Sequence, residues 1–146
     1  MKMNANLRLW DSRPDDRIHL LLWDTPTEEK LIDLAFYNNA CRVNYRTNLL
    51  GRIQDDDQFL VFHHHLEREL EAVKLMCCGV SQSMILLEGF DCLITYLRIQ
   101  SEGHVTLFWN NLEKTRKLEK ILWILLPQKL LPATWPQNRI KRISSA

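Results

Sequence analysis

Three neighbouring histidines, His63, His64 and His65, are the residues that most directly suggest chemistry. Imidazole nitrogens bind zinc, but consecutive side chains point in different directions on a strand or a helix, so the three do not converge on one ion. No His-x-x-x-His or Cys-x-x-Cys spacing adds further ligands. We interpret them as structural or surface residues and predict that the protein binds no metal.

The acidic run Asp55-Asp56-Asp57 suggests calcium. Calcium loops, however, space their carboxylates around a central glycine and end on a distant glutamate. That pattern is missing from the sequence, so we interpret the run as a solvated turn.

Nucleophilic and phosphate chemistry also lack their patterns. The sequence has no Gly-x-Ser-x-Gly turn, no phosphate-binding loop and no dinucleotide fingerprint, and its four glycines are isolated. The four cysteines, two of them adjacent, are typical of free thiols in a reducing compartment. We therefore predict that the protein is not an enzyme and has no cofactor.

Positive charge is concentrated near the end of the chain. Residues 110–146 carry eight basic and two acidic side chains, a net charge of +6, whereas the whole 146-residue chain carries +1. The length and composition suit one globular domain. We predict that residues 1–126 form this domain and that residues 127–146 form a basic, proline-containing tail.

This tail contains the residues that we expect to bind a partner. Trp135 lies in an irregular segment between prolines, and the cations Arg139, Lys141 and Arg142 follow it. Tryptophan and arginine are the side chains that most often anchor protein interfaces. A tail folded back onto its own domain is the alternative, and the sequence leaves both open.

The sequence gives no sign of a membrane segment. Its first six residues lack the apolar core of a signal peptide. Its most apolar stretch, residues 121–131, is interrupted by Pro127 and Lys129 and is shorter than the roughly 20 residues that span a bilayer. We expect a cytoplasmic protein without membrane insertion and make no prediction of its oligomeric state.

Hydrophobic periodicity predicts the elements that position these residues. Residues 17–23 predict a buried strand, and Thr25-Pro26 begins a helix that ends near Asn38-Asn39. Alternating β-formers favour a strand at 42–50, with a helix as the alternative both there and at 58–64. Residues 66–78 predict a second helix.

Three further runs, at 83–88, 92–99 and 104–109, predict an antiparallel meander. A last helix would have its apolar positions at 118, 121, 122 and 125. The expected fold is a mixed α+β domain, with a small curved antiparallel sheet or split β-barrel and about three flanking helices.

The order of these elements resembles a known family. The segments that carry the resemblance are Cys41–Leu50, the turn Gly51–Asp57, the strand Phe59–Phe62, the apolar run Met84–Leu87 before Gly89, and the ending Pro132–Ile143. From about residue 25 to residue 143 the chain is similar to the N-terminal (PilZN-like) domain of the YcgR-type flagellar brake proteins. The resemblance implies a split β-barrel and a role in bacterial flagellar motility through protein contacts.

The family's nucleotide sensor has no counterpart in this chain. Its Arg-x-x-x-Arg motif is broken, because Ile143 lies four residues after Arg139 and Ala146 lies four residues after Arg142. The Asp/Asn-x-Ser-x-x-Gly motif of the PilZ domain is also missing, since no glycine has a serine three residues before it. We therefore expect no binding of cyclic di-GMP.

The function that we expect is that of a non-enzymatic regulator that docks to a protein partner, in flagellar motility according to the resemblance. Two alternatives stay open. One is an immunity or secretion-chaperone type protein that sequesters a single partner, and the other is a nucleic-acid binder that uses the basic C-terminal segment. Only Trp123 and Trp135 accompany that segment's charge, which weakens the stacking argument for nucleic acid.

Overall fold

The computed structural model describes residues 9, 18–52, 66–100, 102–115, 118 and 120–143. The histidines at 63–65, the aspartates at 55–57 and the ambiguous stretch at 58–64 lie outside these residues. The described strands are β1 (Ile18–Trp23), β2 (Ala40–Asn44), β3 (Met84–Glu88), β4 (Ile121–Leu126) and β5 (Ile140–Ile143). The helices are α1 (Glu28–Asn38), α2 (Tyr45–Arg52), α3 (Leu66–Met76), α4 (Asp91–Gln100) and α5 (Glu102–Lys114).

All five strands are parallel and lie in the order β2-β3-β4-β1-β5. From β1 the chain crosses β4 and β3 to reach β2. It then returns in the opposite direction through β3 and β4, and it passes over β1 to reach β5. Because such crossovers are right-handed, the two directions place their connections on opposite faces of the sheet. Helix α1 therefore packs on one face, and α2 to α5 pack on the other.

Alternate residues of each strand enter two separate cores. Leu21 and Trp23 of β1 pack with Leu31 and Leu34 of α1. The intervening residues of β1 pack with the helices of the other face, which contribute Tyr45, Phe90, Leu93, Leu97, Phe108, Trp109 and Leu112. A sheet buried on both faces gives strands that are apolar at nearly every position, as β1 and β4 are.

The predicted antiparallel sheet or split β-barrel is wrong, because every pairing in the described sheet is parallel. The described residues contain five α-helices rather than about three. The predicted last helix around 118–125 is largely β4, since a continuous buried run matches the apolar positions of a helix as well as those of a buried strand.

The predicted strands at 92–99 and 104–109 are the helices α4 and α5. Their β-branched and aromatic residues favoured strands, but the buried side chains recur at helical spacing: Leu93, Ile94 and Leu97, then Val105, Phe108, Trp109 and Leu112. The predicted strand at 42–50 divides into β2 and α2. The side chain of Asn44 accepts a hydrogen bond from the backbone N–H of Thr47 (3.0 Å), at the start of that helix.

The N-terminal elements follow the prediction more closely. Strand β1 and helix α1 are confirmed, although the residue that caps α1 is Thr27, whose hydroxyl accepts from the backbone N–H of Lys30 (3.3 Å), rather than Thr25. Helix α1 ends at Asn39, which has a left-handed backbone (φ 51°), as expected for asparagine at this position. Among the described residues, no helix is both long and apolar enough to cross a membrane.

The segment after residue 126 is part of the sheet. It contains two single-turn 3-10 helices, Gln128–Leu130 and Gln137–Arg139, and then β5, which pairs with β1 from Leu20↔Ile140 to Trp23↔Ile143. The predicted boundary between a domain and a tail therefore runs through one folded unit.

Candidate partner-binding surface

The predicted anchor, Trp135, lies inside the protein. Its side chain is 4% exposed and meets the ring of Trp109 edge-on, with 5.6 Å between ring centroids. The guanidinium of Arg139 lies above the Trp135 ring, 4.7 Å from the centroid. Trp135 therefore makes its contacts within the domain, which is the second of the two arrangements that the sequence left open.

Arg139 is also buried, at 2% exposure. Its Nε donates to the backbone carbonyl of Ile18 (2.8 Å), and its Nη1 donates to the backbone carbonyl of Glu113 (3.2 Å). The same Nη1 lies 4.0 Å from the carboxylate of Glu113. Arg139 thus ties the C-terminal segment to the start of β1 and to the end of α5.

The two remaining predicted residues lie on β5, at one edge of the sheet. Lys141 is half-buried, with its Nζ 6.0 Å from the centroid of the Trp123 ring, whereas Arg142 is exposed. Cationic side chains on an edge strand discourage pairing with the edge of another sheet. The structure therefore brings together Trp135 and Arg139, but inside the domain, and leaves Arg142 as the one exposed residue of the four.

A different element presents an aromatic side chain to solvent. Helix α1 buries Leu31, Leu34, Ala35 and Asn38, so the opposite side of the helix points away from the sheet. We define the α1 surface as the five exposed residues on that side: Glu29, Ile32, Asp33, Phe36 and Tyr37. It combines three apolar side chains with two carboxylates.

Among the described residues, Phe36 is the most exposed large hydrophobic side chain, at 88%, and Ile32, one helical turn before it, is 52% exposed. Residues four positions apart lie side by side on a helix, so the two side chains form one apolar stripe. Single exposed apolar side chains are ordinary on protein surfaces, whereas contiguous exposed apolar side chains are the feature that marks interaction sites. Acidic Glu29 and Asp33 lie on the same side of the helix.

Local structure holds this surface in place at both ends of α1. At its C-terminal end, Asn38 donates to the carbonyl of Leu34 (2.9 Å) and accepts from the backbone N–H of Leu9 (2.8 Å). At its N-terminal end, Glu28 pairs with Arg42 of β2, with 2.5 Å between Oε1 and Nη2. Helix α1 is thereby tied to β2 at the edge of the sheet and to the backbone of Leu9.

Arg42 also connects α1 to β3, the strand next to β2 in the sheet. Its Nε lies 2.5 Å from Oε2 of Glu88, and its Nη2 donates to Oε1 of the same carboxylate (2.8 Å). The hydrogen bond to Glu88 raises the pKa of Arg42 above its ordinary value, although burial acts in the opposite direction. The two carboxylates beside Arg42 satisfy its charge, so it does not offset the acidic residues of the α1 surface.

The carboxyl edge of the sheet contains a small crevice of about 160 Å³ between the ends of β1 and β4. The connections from these two strands leave on opposite faces, which is the position where parallel sheets usually bind ligands. Asp24, Gly89 and Asp91 line the crevice, but Asp24 already accepts from the backbone N–H of Gln128 (2.8 Å). The loop between β1 and α1 has no glycine to wrap backbone N–H groups around a phosphate.

A larger, open groove of about 380 Å³ lies between α4 and the 3-10 turn that follows β4. Its described lining consists of Thr95, Arg98, Ile99, Lys129 and Leu130, which are two cations, two aliphatic side chains and one hydroxyl. Arg98 donates from Nη1 to the carbonyl of Lys129 (3.4 Å), which joins the two sides of the groove. We call this feature the basic groove.

Cys92 and Glu69 are two titratable side chains among the described residues that could have suggested catalysis. Partial burial, together with the carboxylate of Asp91, raises the pKa of Cys92, which opposes formation of a thiolate at the start of α4. The buried carboxylate of Glu69 accepts a hydrogen bond from the hydroxyl of Tyr45. No cluster of three or more metal-ligating side chains occurs in the part of the chain that the structure describes.

Comparisons with protein families, with curated proteins and with solved structures find no match to this chain. The sequence did contain a signal for the α1 surface. Once Leu31, Leu34 and Ala35 are assigned to the buried side of α1, the 100° step of a helix turns Phe36 and Ile32 to the other side. The exposure of Phe36 was therefore predictable from the buried stripe alone, although Phe36 is not among the predicted partner-binding residues.

Proposed function

We propose that this protein is a non-enzymatic binding domain that docks to a protein partner through the α1 surface. The observation that carries the proposal is the 88% exposure of Phe36 beside exposed Ile32 on a well-anchored helix. Burying a phenylalanine side chain in an interface is worth about 1.5–3 kcal/mol. A rigid helix offers this contact without first having to order a flexible segment.

Charge defines the kind of partner. Glu29 and Asp33 flank the apolar stripe, and none of the five residues of the α1 surface is basic. A matching partner site has an apolar depression for Phe36 and lysine or arginine at its rim. Nucleic acid and acidic membranes are repelled by this surface.

The motility role came from the resemblance to the flagellar brake proteins and stays a prediction. The split β-barrel that the resemblance implied is wrong, so the present proposal rests on the α1 surface alone. Sequestration of a single partner, as by an immunity protein or a secretion chaperone, is one form that such docking can take.

A synthetic helical peptide of leucine and lysine tests the proposal. Fluorescence anisotropy should show salt-sensitive binding to the wild-type protein and weaker binding, by about tenfold or more, to the Phe36→Ala variant. Leu75→Ala is the matched control, because Leu75 is 63% exposed on α3, outside the α1 surface. Equal affinity of wild type and Phe36→Ala for the peptide would refute the proposal.

A peptide of leucine and glutamate separates charge from hydrophobicity. We expect it to bind poorly at the α1 surface, because Glu29 and Asp33 repel it, so Phe36→Ala should leave its affinity unchanged. A loss of affinity for this peptide in Phe36→Ala as large as the loss for the leucine–lysine peptide would contradict the proposed basic partner.

A further inference from the structure

The α1 surface has a counterpart elsewhere on the same molecule. The basic groove presents Arg98 and Lys129 beside Ile99 and Leu130, and its described lining contains no carboxylate. The α1 surface presents Glu29 and Asp33 beside apolar side chains and contains no cation. The basic groove therefore has the apolar and basic composition that we infer for the partner of the α1 surface. The acidic and apolar α1 surface in turn complements the basic groove.

The dimensions of the two surfaces also match. A closed cavity of about 150 Å³ holds a benzene ring, and the open basic groove has a volume of about 380 Å³. The groove thus has room for the ring of Phe36 together with the side chain of Ile32. The groove offers two cations, Arg98 and Lys129, for the two carboxylates of the α1 surface, which lie one helical turn apart.

One molecule cannot make this contact with itself. Helix α1 packs on one face of the sheet, whereas α4 packs in the core of the opposite face. We propose that the α1 surface of one copy docks into the basic groove of a second copy. This inference rests on the proposed function and names the partner of the same surface.

The contact joins different surfaces of the two copies, so it is heterologous. Such contacts continue from copy to copy and produce rings or open filaments rather than an isolated pair. The assembly is therefore expected to grow with protein concentration and to weaken with salt, since charges at the rim of the contact are screened.

Sedimentation of the full chain over a concentration series tests this inference. The mass of the wild-type protein should rise beyond that of a dimer. Phe36→Ala removes the apolar anchor and Lys129→Glu reverses a charge in the groove, so each variant should stay monomeric, with a dissociation constant at least about tenfold higher. Leu75→Ala and Lys114→Glu are matched controls outside the two surfaces, and they should assemble like the wild type.

Mixing the two variants gives the most specific result. Phe36→Ala retains an intact groove and Lys129→Glu retains an intact α1 surface, so one productive contact remains between them. We expect a 1:1 dimer that does not grow further. A mixture that stays monomeric, or a wild-type protein that is monomeric at every concentration, would overturn self-docking.

The peptide experiment distinguishes failure of this inference from failure of the proposed function. If the wild-type protein stays monomeric while Phe36→Ala still weakens binding of the leucine–lysine peptide, docking through α1 stands and the partner is not a second copy. If neither assembly nor peptide binding responds to Phe36→Ala, both are refuted.

Discussion

Two regions of this protein combine aromatic and charged side chains, and they use them in opposite ways. On α1, Phe36 is 88% exposed and lies beside Glu29 and Asp33. In the C-terminal segment, Trp135 is 4% exposed and lies beneath the guanidinium of Arg139. Residue types alone predicted an interface in the C-terminal segment. The observed burial of its side chains favours α1 as the interface instead.

The difference lies in what the backbone does around each aromatic residue. The C-terminal segment returns to the sheet as β5, and this return covers Trp135 and Arg139 with β1 and α5. Helix α1 packs with only one side against the sheet, so its other side stays uncovered. The C-terminal residues should therefore control stability, whereas the α1 residues should control binding.

The largest effect on stability is expected from Trp135→Ala. Removing a buried indole that packs against Trp109 leaves a cavity, and such changes cost about 3–5 kcal/mol. Chemical denaturation followed by circular dichroism measures the free energy of unfolding. A variant as stable as the wild type would mean that Trp135 is not part of the core.

Arg139→Ala should have the next largest effect, about 2–4 kcal/mol, because it leaves the buried carbonyl of Ile18 and the partly buried carbonyl of Glu113 without this donor. Arg142→Ala is the control, since Arg142 is exposed and its loss should change stability by about 0.5 kcal/mol or less. Equal stability of the two variants would remove the distinction between buried and exposed cations in this segment.

Arg42→Ala should be less costly, at about 1 kcal/mol, because Arg42 is 27% exposed and water partly screens its two ion pairs. A double-mutant cycle with Glu28→Gln measures the coupling between Arg42 and the first residue of α1, which we expect to decrease as salt is added. A coupling near zero at low salt would show that this network does not anchor α1.

Phe36→Ala should change the free energy of unfolding least, by about 0.5 kcal/mol or less, since its side chain contributes little to the core. The melting temperature in the absence of any partner checks this expectation. A fall as large as that of Trp135→Ala would reveal that Phe36 is structural, and the α1 surface would lose its proposed role.

The fold was predictable where local and tertiary signals agree. The apolar run of β1 and the turn residue Asn39 after α1 gave correct elements, because each has one physical interpretation. Residues 92–99 and 104–109 were wrongly predicted as strands, because their β-branched and aromatic side chains favour strands. The spacing of the buried residues Leu93, Ile94 and Leu97 is that of a helix. Parallel pairing depends on distant segments, so no local pattern specified it.

The candidate site was predictable only in part. The periodicity of α1 already turned Phe36 away from the buried side chains of that helix. By contrast, the burial of Trp135 depends on the pairing of β5 with β1, which joins residues more than 100 positions apart. The opposed charges of the α1 surface and the basic groove became visible only when the structure grouped distant residues.

The most direct test of the central claim is an amide NMR titration of the labelled protein with the leucine–lysine peptide. We expect the largest chemical-shift changes at residues 28–38 of α1, saturable and lost in Phe36→Ala, with small changes at residues 127–143. Shifts concentrated at residues 127–143, and unaffected by Phe36→Ala, would contradict docking through the α1 surface.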